Sequence, residues 1–276
     1  MLLHPLRVMW ILPFLCPALS AAQYVLSGAR AVSMGNVSLC VTDAYAVFNN
    51  QASMAYLEKP ALCSSYENRF ISRELNSFGL ACVLPFRAYG VFGLSLQRSG
   101  FQLFSRNRIG LSYARTFGRR VSAGLQFNYQ LLHIAQGYGT AHVFSADAGI
   151  RIQITPEISW ALHVSNPIRQ KVAAFQQEKL PLILKTGFMY VWNRSLTCTA
   201  QLEKDLDRPF NFGFGLEYLW KEKVAFRAGF QTLPLSPSFG FGYLHKRIQV
   251  DIGVSYKRYA GFSPQLSLSH TFSRAL

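Results

Sequence analysis

Chemistry needs nucleophiles, bases or ligands at workable spacing, and this chain supplies few. Its histidines (His4, His133, His142, His163, His245 and His270) lie singly on different segments, with no HExxH or comparable pair. Cys40, Cys63, Cys82 and Cys198 form no CxxC pair and have no metal-ligand spacing. Cys82 and Cys198 stand on apolar faces beside Leu80 and Leu196, as small hydrophobes; a Cys40–Cys63 disulfide stays open. No GxSxG elbow and no P-loop occurs. Gly213-Phe214-Gly215 and Gly240-Phe241-Gly242 lie inside strand-like patterns, where glycine thins one face or permits bending. A hydrolase would have to assemble Ser, His and a carboxylate from distant segments. No catalytic residue, cofactor or metal is expected.

What remains is a set of charges on the polar faces of alternating segments: Asp147, Arg151, Lys185, Glu203, Glu217, Arg227 and Asp251. Exposed to lipid at mid-depth, a basic side chain costs ~2–4 kcal/mol. Turned inward, such charges build a network of ion pairs, line a polar path or seat another segment. Arg227 and Asp251, on next-but-one strands, are the pair to test.

The elements that would carry these charges are read from period-two alternation, which puts successive side chains on opposite faces of a sheet. In Ile248–Lys257 the residues Ile248, Val250, Ile252, Val254 and Tyr256 share one face; Gln249, Asp251, Gly253, Ser255 and Lys257 share the other. Phe212, Phe214, Leu216, Tyr218 and Trp220 repeat the pattern against Asn211, Gly213, Gly215 and Glu217. The large face is aromatic and the small face polar, the reverse of a soluble sandwich and the pattern of a membrane barrel. From Ala61 onward about fourteen such strands follow one another. Tight connections near Arg87, Gly118-Arg119, Thr155-Pro156, Asn193-Arg194, Lys221-Glu222 and Lys246-Arg247 alternate with longer ones at Ser99–Ser105, Ile134–Thr140, Pro167–Lys179, Asp205–Pro209, Thr232–Pro237 and Tyr259–Ser263. Only the first, near Ser72–Leu75, breaks the rule. Short periplasmic turns and longer outer loops are what an outer-membrane barrel produces. Phe86, Tyr89, Phe117, Trp160, Tyr190, Trp192, Tyr218, Trp220 and Tyr243 near strand ends suit an interfacial girdle. The expected fold is all-β: a transmembrane antiparallel β-barrel of about fourteen strands with an N-terminal hatch segment in the lumen.

Residues 1–22 read as a signal peptide: Arg7, an apolar run from Val8 to Leu15, then Ser20-Ala21-Ala22 before Gln23. Residues 23–60 do not alternate and read as a hatch or plug of turns and short helices; residues 61–276 are the barrel. An exported chain of net charge +15 is not expected to bind nucleic acid. Its positives lie at strand ends (Arg106/Arg108, Arg119/Arg120, Lys221/Lys223, Lys246/Arg247, Lys257/Arg258), which suits anionic outer-membrane lipids or lipopolysaccharide and equally a solvated strand end. A single-chain barrel in the outer membrane of a Gram-negative cell is the expected setting.

The run Gly28-Ala29-Arg30-Ala31-Val32-Ser33-Met34-Gly35, followed by Asp43-Ala44-Tyr45-Ala46-Val47-Phe48-Asn49-Asn50-Gln51-Ala52, resembles the opening of PorV/PorQ-type barrels, relatives of the FadL fatty-acid transporters. Gly215-Leu216-Glu217-Tyr218, Arg227-Ala228-Gly229-Phe230 and Gly240-Phe241-Gly242 are similar to that group's GLEY, RAGY and GxG strand signatures. The closing run from Ser263 to Phe272 resembles its last strand; Gln51 stands where the group carries proline. The resemblance implies a fourteen-stranded barrel with the hatch in its lumen, and Gly35, Asp43, Asn49, Asn50 and Gln51 as hatch residues that gate a ligand or partner. It implies either a PorV/PorQ-like accessory of type IX secretion or surface assembly, with secretion-system proteins as partners, or a FadL-like channel for hydrophobic small molecules.

Overall fold

The computed structural model describes residues 26–135, 139–169 and 180–273. The proposed signal peptide lies outside the described residues. Fourteen strands close into one antiparallel barrel in simple up-and-down order. They are β1 (Ala61–Asn68), β2 (Asn76–Phe86), β3 (Gly90–Gly100), β4 (Phe104–Phe117), β5 (Val121–Ile134), β6 (Gly139–Gln153) and β7 (Ile158–Ser165), then β8 (Ile183–Val191), β9 (Leu196–Asp205), β10 (Asn211–Trp220), β11 (Val224–Thr232), β12 (Leu235–His245), β13 (Ile248–Lys257) and β14 (Gly261–Thr271). β1 closes the barrel on β14, with Ala61 opposite Thr271 and Glu67 opposite Gln265.

The parity read from sequence sets which face looks where. On β5, Leu125 and Phe127 are 51% and 68% exposed, while Gln126 and Asn128 are 2%. The exterior is a band of Phe, Leu, Ile and Tyr; the interior is Ser, Gln, Asn, Gly and paired charges. In water that arrangement would expose a very large apolar surface, so the band is built to meet lipid. No helix among the described residues is long and apolar enough to cross a membrane; the strands are the crossing elements.

The strands run further than the sequence implied at one end. β3 and β4 leave only 101–103 between them, β11 and β12 only 233–234, and β13 and β14 only 258–260. Three of the expected long loops are thus short turns. The physical reason is that ladder pairing continues through polar residues once they stand clear of the apolar band: Ser99 pairs Arg106, and Thr232 pairs Leu235. Conversely the first connection is longer than expected. β1 stops at Asn68, and a single 3-10 turn, Arg69–Ile71, precedes β2. At 14, 14 and 15 residues, β4, β5 and β6 exceed the ~9–11 that a tilted strand needs to span the hydrocarbon core.

The described N-terminal residues form three short helices, α1 (Ala29–Ser33), α2 (Ala46–Asn49) and α3 (Gln51–Met54). Their partners lie on strands all around the ring. The Ala29 amide donates to Ser267 Oγ of β14 (2.7 Å), the Gly35 amide to Ser238 Oγ of β12 (3.0 Å), and Ser122 Oγ of β5 donates to the Ala52 carbonyl (2.8 Å). Only a segment inside the barrel can reach all three.

Candidate functional site

The lumen is where the polar side chains converge, and a row of glycines makes room for the segment that fills it. Gly124 and Gly149 face each other across β5 and β6, Gly215 and Gly229 across β10 and β11, and Gly240 and Gly253 across β12 and β13. A Cβ on Gly215 would lie 2.5 Å from the Met34 carbonyl oxygen, and one on Gly253 2.6 Å from that of Ala29. These glycines let backbone pack on backbone. Gly35 has φ +67, and a Cβ there would press on the Phe214 and Phe230 carbonyls. It is the residue where the segment turns against the wall.

The charges anchor what the glycines admit. Arg30 of α1 donates through Nη2 and Nε to Glu217 of β10 (2.6 and 2.9 Å) and through Nη1 to Asp43 (3.2 Å). Arg227 of β11 donates to Glu217 and to Asp251 of β13 (2.7 Å), and Gln249 Nε2 donates to the other Asp251 oxygen (2.8 Å). Five charged side chains form one buried chain that ties the segment to three strands. Burial alone would lower the Arg30 pKa, but Glu217 and Asp43 raise it further. Glu217, with two short bonds against the one longer bond at Asp43, is the main partner of Arg30, and burial pushes the Asp43 carboxyl up despite Arg30.

The remaining sequence candidates fall elsewhere in the lumen. Asp147 of β6 accepts from Arg108 of β4, from Asn128 Nδ2 (3.0 Å) and from the Asn166 amide (3.3 Å). Arg151 donates to Thr42 of the segment and to Ser159 (3.1 Å), and stacks over the Tyr56 ring at 4.6 Å. Lys185 and Glu203 form a separate pair at 3.0 Å between β8 and β9. Asn49 Nδ2 donates to the Ser27 carbonyl; Asn50 caps α3 by accepting from the Ala52 amide and donates to the Leu39 carbonyl. Gln51 donates to the Val47 carbonyl (3.0 Å) and to Gln126 of β5, while its Oε1 meets His163 Nε2 of β7 at 3.1 Å.

Sequence reasoning missed Arg30, Arg108, Gln126 and His163 as parts of this site. Arg108 and Gln126 carried a usable signal, because each shares the small-polar parity of its strand. Arg30 and His163 carried none in spacing, since their partners are distant in sequence. The open question of a Cys40–Cys63 disulfide is answered by the structure. Both thiols are free and buried, Cys40 pointing at the Ser159 and Gly187 carbonyls (3.6 Å each) and Cys63 at the Ala44 carbonyl. Burial pushes the Cys40 thiol up to about 12, so it stays protonated.

Among the described residues, the serine facing a buried histidine is Ser165, 3.5 Å from His163 Nδ1. Both residues are buried and the other imidazole nitrogen meets an amide rather than a carboxylate, a poor arrangement for activating a nucleophile. No cluster of His, Cys, Asp and Glu among the described residues could hold a metal ion.

The sequence matches no protein-family model and no curated protein. Solved structures do match. The CymD monoaromatic hydrocarbon channel aligns over 92% of this chain and 100% of its own, with TM-score 0.73 and 13% identity. The Ralstonia pickettii toluene transporter TbuX aligns over 89% and 98%, with TM-score 0.65 and 13% identity. A Pseudomonas aeruginosa FadL homologue aligns over 90% and 99%, with TM-score 0.62 and 13% identity. At these identities the likeness is one of fold: a closed barrel with the overall chain path of these three proteins.

Proposed function

We propose that this protein is an outer-membrane channel for small hydrophobic molecules, with residues 26–60 acting as a hatch. The observation that supports it most is the whole-length fold likeness to proteins described as monoaromatic hydrocarbon channels and toluene transporters, joined to an apolar exterior band. Because the segment is seated inside the barrel on β5, β12 and β14, passage along the barrel axis requires it to shift. The test is uptake of radiolabelled toluene by Gram-negative cells with and without the barrel, compared with cells carrying an Arg30→Ala barrel. Barrel-dependent uptake that rises when Arg30 is removed is expected; uptake equal in all three strains would sink the reading.

A second reading, an accessory barrel of surface-protein export, is favoured by the ion-paired closure and by the basic turns holding Lys221, Lys223, Lys246 and Arg247. Loss of surface export on deletion, with uptake unchanged, would select it.

A further inference from the structure

A cavity of about 160 Å³ lies between the ion-paired chain and the tight-turn end of the barrel. Its floor is Arg30, Glu217 and Arg227, and Lys223 stands at its mouth. Leu219, Ala225 and Leu244 give it apolar walls. We infer that this cavity is a binding site for a small aromatic carboxylate, a single ring bearing one negative charge.

Size and charge together select that class. A cavity of about 150 Å³ holds a single benzene ring, so this one has room for one ring and little more. Three cations and one carboxylate line it, and Asp43 and Asp251 stand behind the two guanidiniums. Glu217, Asp43 and Asp251 already occupy Arg30 and Arg227 through five hydrogen bonds. Lys223, the last residue of the turn between β10 and β11, is the cation of the lining left for a ligand. A neutral hydrocarbon would fill the apolar walls but give the Lys223 ammonium no partner. An organic cation would meet Lys223 with like charge. A carboxylate directed at Lys223, with its ring against Leu219 and Leu244, satisfies both parts of the site.

The site rests on the channel reading only for how a ligand arrives, so binding is measured apart from transport. Purified barrel in detergent micelles is titrated with 4-fluorobenzoate and followed by fluorine NMR, alongside Lys223→Glu, Lys223→Arg and Leu219→Trp variants. Heat-modifiable gel migration confirms that each variant is folded. Saturable binding is expected, weakened about tenfold by Lys223→Glu, the scale of exchanging one partly exposed attraction for a repulsion, and kept by Lys223→Arg. Leu219→Trp fills the cavity and abolishes binding. Benzylamine does not compete and toluene competes weakly. Absence of saturable binding, indifference to Lys223→Glu, or equal competition by benzylamine or toluene overturns the site. A barrel that binds 4-fluorobenzoate yet takes up no toluene keeps the site and loses the channel.

Discussion

At the scale of single residues, the lumen shows what a buried charge demands. Arg227 has a side chain 2% exposed and serves two carboxylates at once. Truncating it to alanine leaves Glu217 and Asp251 facing each other's charge without a cation between them. Removing one partner of a buried pair costs about 3–5 kcal/mol, so Arg227→Ala is expected to lower the urea midpoint of unfolding steeply. Arg227→Lys recovers only part, because an ammonium cannot hold two carboxylates through a planar fork. Gln51 makes a different point. It occupies the first helical position of α3, where proline is favoured, and replaces a fixed φ with side-chain bonds to Val47, Gln126 and His163. Cys40 supplies a reporter. Buried and protonated, it is expected to react with maleimide slowly in the wild type and several-fold faster when Arg30→Ala frees the segment, read by mass spectrometry in a background lacking Cys82 and Cys198.

Between residues and the barrel stand two kinds of element, strands and the inner segment, and they differ in how openly the sequence declares them. The strands repeat a two-residue period whose large and small faces both have meaning, so β10 and β13 could be drawn from Phe212 to Trp220 and from Ile248 to Tyr256. Their ends were harder. Pairing persists through Ser99, Arg106 and Thr232 on hydrogen bonds alone, where no apolar face marks the strand. Inward parity also placed Arg227 and Asp251 on one surface, two strands apart. The seating of the inner segment was not legible, because its contacts obey no period. Ala29 meets Ser267 and Arg30 meets Glu217 through the curvature of the closed sheet. The glycines are the trace it leaves in the wall. Gly215→Leu is expected to unseat α1 while leaving the strands intact, giving a folded barrel with larger single-channel conductance in planar bilayers. Unchanged conductance would mean that the segment finds another seat.

For the whole molecule the governing fact is inversion: apolar outside, polar inside, with lipid as the solvent that makes the arrangement stable. The inversion has a measurable sign. Phe127→Arg, near the middle of β5 on the outer face, is expected to cost about 2–4 kcal/mol in lipid, read from unfolding in liposomes. Tyr259→Arg, at the tip of the turn between β13 and β14 and 94% exposed, is expected to change stability by no more than about 0.5 kcal/mol.

The contact between Ala29 and Ser267, residues 238 apart in sequence, also imposes a chronology. The inner segment emerges before any strand, yet its last seat exists only once β12, β13 and β14 have been made. The β1–β14 seam closes the wall around it, so a chain with that seam open would hold an unsheltered segment beside a free sheet edge. Assembly of this barrel is therefore a packing problem solved from both ends of the chain at once, with the earliest residues waiting for the latest.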